Sequence, residues 1–75
     1  MKPFGARRLT DEARHARIVT ILQGLANGLY MKHIAPQVGL TKEGLDSFYR
    51  EEMRKYNVAT SPQFVAYGLR EGWIK

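Results

Sequence analysis

The chain has 75 residues, 12 Lys and Arg against 7 Asp and Glu, a net charge of +5 and no cysteine. That length makes one domain, which buries only about 60% of its unfolded surface, and with no cysteine neither a disulfide nor a thiolate metal site can staple it. The longest apolar run, IVTIL at 18–22, is too short to span a membrane, and the positive sign favours a polyanionic partner.

Residues 1–9 read as a flexible basic arm. Pro3, Gly5 and the pair Arg7-Arg8 offer charge and little to bury. The segment has no apolar stretch behind it and does not read as a signal peptide. With the absence of cysteine, a cytoplasmic protein is expected. The folded domain then covers residues 10–75. Thr10 is a good helix N-cap, and Asp11 and Glu12 suit the positive end of the helix dipole. The first helix should run from about 11 to 27, with Ile18, Ile21, Leu22 and Leu25 as its buried stripe. Gly24 inside it costs about 1 kcal/mol relative to alanine. Close approach of a neighbouring helix would account for that glycine. Asn27-Gly28 is the stop signal.

A second helix is expected over about 30–38, on the stripe Met31, Ile34, Ala35 and Val38. Pro36 removes a backbone donor, so this helix should be short or distorted. Thr41 caps a third helix over about 41–56. Leu45, Tyr49, Met53 and Tyr56 share one stripe, with Phe48 beside it, and Asn57-Val58 closes it. TSPQ at 60–63 reads as another start, with Ser61 as N-cap and Pro62 at the first helical position. The fourth helix should extend to about 71, with Phe64, Val65 and Leu69 toward the core. Gly72 ends it, and Trp73-Ile74 can fold back as a hydrophobic lid. No strand pattern interrupts this all-α reading.

Residues 31–50 fit the spacing of a helix-turn-helix in a single register. Ala35 is small where two helices cross. Gly39 stands where the turn needs positive φ. Ile34, Val38, Leu40, Leu45 and Phe48 are apolar where the motif points inward. The other reading of this spacing is an αα-hairpin with no ligand.

Catalysis finds no support. No nucleophile lies beside a base in a known motif, and no glycine-rich phosphate loop follows a strand. Glu51 and Glu52 are adjacent, so on a helix they point about 100° apart and make a poor acid–base pair. His15 and His33 lie far apart with no third ligand at useful spacing. No cofactor or metal is expected.

From Gly28 to Ile74 the chain resembles the LuxR/GerE-type DNA-binding domain. The matching residues are Gly28-Leu29, Lys32, Ile34-Ala35, Gly39-Leu40-Thr41, Lys55, Val58, Val65 and Glu71-Gly72-Trp73-Ile74. The resemblance implies a four-helix domain with its third helix in the DNA major groove, and a homodimer through the fourth helix. DNA-contacting positions map onto Asp46, Ser47 and Arg50, with Lys42, Tyr49 and Arg54 nearby. The chain departs from the family at four places. His33 replaces a glutamate, Pro36 an alanine, Asp46 a basic residue and Glu52 an apolar core residue.

Counted along the sequence, residues 41–55 are neutral: Lys42, Arg50, Arg54 and Lys55 oppose Glu43, Asp46, Glu51 and Glu52. Phosphate contacts supply most nonspecific DNA affinity, so a neutral helix supplies little of it. An aspartate can still read cytosine N4, and an arginine guanine. Residues 1–17 carry Lys2, Arg7, Arg8, Arg14 and Arg17 against Asp11 and Glu12. Such an arm suits phosphates or a minor groove.

The expectation is a small sequence-specific transcription regulator of bacterial or phage-like type. Its third helix reads double-stranded DNA through Asp46, Ser47 and Arg50, while Lys42, Arg54, Arg7 and Arg8 hold phosphates. A second reading keeps the fold and makes the partner a protein, such as RNA polymerase. There it would inhibit or redirect transcription; this reading rests on the neutral third helix, on the charged arm and on Phe48-Tyr49 as a partly exposed aromatic contact patch.

Overall fold

The computed structural model describes residues 9–75. Among these residues the chain is all-helical, with four α-helices: α1 (Asp11–Ala26), α2 (Met31–Ile34), α3 (Lys42–Lys55) and α4 (Ser61–Arg70). A 3-10 turn, Ala35–Val38, extends α2. No described helix is long and apolar enough to cross a membrane.

The three longer helices start the same way. Thr10, Thr41 and Thr60 each accept, through the side-chain hydroxyl, the N–H three residues on: Ala13 at 3.0 Å, Gly44 at 3.0 Å and Gln63 at 3.2 Å. Each bond satisfies one of the orphan donors of a first turn. The sequence reading of α4 is corrected by one residue. Thr60, not Ser61, is its N-cap, and the Ser61 hydroxyl instead shares a 2.8 Å hydrogen bond with the Tyr49 hydroxyl.

The helix ends also share one device. At Gly28, Gly39, Asn57 and Gly72 the backbone turns to positive φ. After α1, for example, Leu29 N–H reaches Gly24 O at 2.9 Å and Gly28 N–H reaches Leu25 O at 3.0 Å. This is a Schellman closure, which satisfies the last carbonyls as the chain reverses. At Gly39, φ is +72°, as the tight turn into α3 requires.

Pro36 shapes the second element. It has no N–H to give Lys32 O, so the α-helix stops at Ile34 and the chain tightens into a 3-10 turn. The expectation of a short, distorted helix is met. His33, at one of the four departures, accepts the Tyr30 N–H through Nδ1 at 3.3 Å and so ties off the start of α2.

The core is built from Ile18, Ile21 and Leu22 of α1, Ile34 and Ala35, Leu45, Phe48 and Tyr49 of α3, Phe64 of α4, and Ile74. α1 packs on α4 and on α2 with its 3-10 turn, and α2 packs on α3. Gly24 lies against Ile34, whose Cγ1 and Cδ1 would stand 2.9 Å from an added Cβ. The close approach inferred from that glycine is present. Leu69 is corrected. It is 49% exposed, and Gly68 takes the core-facing place, beside Leu22 and Ile74.

The lid forms as expected. Ile74 is buried, and Trp73 packs edge-on to His15, Tyr56 and Tyr67, with ring centroids 4.6–5.3 Å apart. Lys75 N–H and C=O both bond the Gln23 side chain at 3.0 Å, fastening this segment to α1.

Candidate functional site

α3 has two distinct faces. Leu45, Phe48, Tyr49 and Glu52 are buried. With 100° per residue, Glu43, Asp46, Ser47, Arg50 and Arg54 fall on the opposite arc, and all but the half-buried Asp46 are exposed; Lys42, seven residues before Tyr49, is exposed at the edge of the buried arc. Four of the six described candidate residues, Asp46, Ser47, Arg50 and Arg54, are therefore brought together on one face, with Lys42 at its edge and paired to Asp46.

Tyr49 is the sixth, and it is not on that face. It is 5% exposed, its ring lies 5.4 Å from Phe64, and its hydroxyl is spent on Ser61. Burial raises its pKa above the usual tyrosine value, and the Ser61 hydrogen bond opposes that in part. The expectation of a partly exposed Tyr49 is corrected. Its stripe position, i+4 from Leu45, is the stronger signal. Phe48 is likewise buried, so the proposed aromatic contact patch is part of the core. Arg7 and Arg8 lie outside the described residues.

Charge on α3 is redistributed by its neighbours. Glu52 is 1% exposed. Its Oε2 accepts from Arg14 Nε at 3.1 Å and from an Arg14 terminal nitrogen at 2.7 Å. Its Oε1 has no hydrogen-bond partner among the described residues. The same guanidinium reaches Glu51 at 3.5 Å. Hydrogen bonding to Glu52, opposed by burial, lifts the Arg14 pKa further above its usual value. Arg14 and Arg17 also flank the Phe48 ring, at 5.0 and 5.2 Å from its centroid. Arg14 therefore serves the folded core rather than a free arm.

At the other end of α3, Lys42 Nζ meets Asp46 Oδ2 at 3.1 Å. Arg50 and Arg54 make no ion pair among the described residues, and Lys55 lies 5.5 Å from the Tyr56 ring centroid. The helix that is neutral by sequence count thus spends Glu52, and part of Glu51, on a cation from α1. With Arg14 and Arg17 included, six basic groups stand around four acidic ones. The exposed cations concentrate in the last two turns of α3.

No protein-family model matches this chain, and neither a curated protein nor a solved structure does so.

Proposed function

We propose that this protein is a sequence-specific DNA-binding regulator of transcription, built as a helix-turn-helix of LuxR/GerE type, with α3 as the helix that enters the major groove. One observation carries the reading: three of the four acids of α3, Asp46, Glu51 and Glu52, are ion-paired within the protein and Glu43 lies in its first turn, while Arg50 and Arg54 stand exposed and unpaired among the described residues, beside Ser47, on the face opposite the core. A groove-reading helix needs such a face, with long cations for phosphates and guanine edges and a small polar residue between them. The tight turn at Gly39 and the short α2 before it suit the same role. The protein-partner reading loses its aromatic patch to the core. In the DNA reading a second copy would meet the first through α4, where Leu69 is exposed.

The test is an amide-shift titration by NMR with mixed-sequence duplex, at low and then near-physiological salt. Shifts should gather on Lys42 to Arg54 and weaken as salt rises. Arg50→Ala should cost about 1–3 kcal/mol on a selected site, whereas Arg54→Ala should lower the salt slope by about 1. A spectrum unmoved at low salt would sink the reading.

A further inference from the structure

An aspartate on a helix face that approaches phosphates needs a reason, since repulsion from the DNA backbone weakens binding to every sequence. Asp46 sits one turn before Arg50 and one turn after Lys42 on the exposed side of α3. Lys42 holds its Oδ2 at 3.1 Å. Its Oδ1 accepts no hydrogen bond among the described residues, and the side chain is 32% exposed. One oxygen is thus anchored and its charge offset, while the other remains available at the rim of the exposed face. A carboxylate paired in this way keeps one oxygen free to accept from a partner.

From this geometry, and resting on the DNA reading above, we infer that Asp46, oriented by Lys42, selects a cytosine in the target duplex. In the major groove a carboxylate can accept only from the exocyclic amino groups, cytosine N4 and adenine N6. Adenine places its N7 acceptor beside N6, and N7 repels the second carboxylate oxygen. Cytosine has no acceptor there. Guanine and thymine present only acceptors toward the same atom. Four residues of helix rise about 6 Å, close to two base-pair steps of about 3.4 Å each. With α3 laid along the groove, Arg50 would reach a guanine within two base pairs of that cytosine. Lys42 is a positioning residue here: it holds the carboxylate and offsets its repulsion from nearby phosphates.

The experiment is selection from a random duplex pool with the full chain, followed by anisotropy titration of single-base variants of the enriched site. Wild type should prefer cytosine over the other bases at one position by about tenfold. Asp46→Ala should flatten that preference and bind unrelated duplex more tightly. Asp46→Asn, whose amide matches adenine N6 and N7, should move the preference from cytosine to adenine. Circular dichroism of both variants should match wild type, because Asp46 is outside the core. Enrichment of a site whose base preferences are the same in wild type and Asp46→Ala overturns this inference and leaves the DNA reading standing. Failure of every variant to bind any duplex overturns both.

Discussion

Replacing Arg14 and replacing Glu52 should have opposite effects on stability, although the two residues form one ion pair. Glu52 is 1% exposed and depends on Arg14 for both of its hydrogen bonds, at 3.1 and 2.7 Å. Arg14→Met would leave a carboxylate buried with no partner, which costs about 3–5 kcal/mol. The low end, about 3 kcal/mol, applies because the Arg14 side chain is 29% exposed and water can reach the gap. Its contact with Glu51 adds little, since Glu51 is mostly exposed. A loss of about 3 kcal/mol is a large share of the roughly 4–11 kcal/mol available to a domain of this size. Glu52→Leu differs. It removes a buried charge together with Oε1, which has no partner among the described residues. It leaves Arg14 partly in water, beside Glu51 and over the Phe48 ring. That change should be neutral or stabilising by about 1–2 kcal/mol, and Arg14→Met/Glu52→Leu should recover most of the loss. Urea unfolding followed by far-ultraviolet circular dichroism, with Trp73 fluorescence as a second probe, gives all three values. Equal destabilisation by the two single changes would refute the reasoning, as would an Arg14→Met variant as stable as wild type.

Two further stability predictions follow from the packing. Burial raises the Tyr49 pKa above its unfolded value near 10, so the stability it contributes is complete below about pH 10 and is lost as pH rises through the folded pKa. Between pH 9 and pH 11 the urea midpoint of wild type should therefore fall further than that of Tyr49→Phe. At neutral pH the same variant should be less stable by about 1 kcal/mol, for the lost Ser61 hydrogen bond. Gly24→Ala should gain about 1 kcal/mol of helix propensity but drive a Cβ to 2.9 Å from Ile34. Ile34 is fully buried, so its side chain must shift within the core, and overpacking of about 1–3 kcal/mol should prevail. A raised melting temperature would show that α1 and α2 yield more easily than this geometry allows.

Much of the fold was legible because its signals are local. Thr10 and Thr41 cap through bonds spanning three residues, and Gly39 and Asn57 turn the chain within one residue. Gly24 was legible for a different reason: a residue unfavourable in a helix implies a neighbour that needs the space. Errors arose where two local rules agree equally well. Pro62 fits the first or the second helical position, so the choice between Thr60 and Ser61 as cap depends on Tyr49, whose hydroxyl takes Ser61. Leu69 lies on the apolar stripe of α4, but Ile74 folds back beside Gly68 and fills that side of the core, leaving the leucine outside.

The candidate site was legible in its residues and not in its charge. Asp46 and Glu52 are both acids on α3, both stand where the resembled family carries something else, and both are ion-paired. The Asp46 partner is Lys42, one turn away, and a helical spacing of four suggests it. The Glu52 partner is 38 residues away on another helix, and no count along a window of sequence can find it. What such a count does contain is the anomaly itself. A carboxylate on the buried stripe of an amphipathic helix needs a buried cation, because an unpaired charge there costs several kcal/mol. α1 offers Arg14 and Arg17 one turn apart, on the side that meets α3. An acid at a core position therefore belongs to the charge of the interior and must be removed from the charge of the surface. Applied to α3, that rule turns a neutral helix into one whose outer face carries Arg50 and Arg54 to whatever it meets.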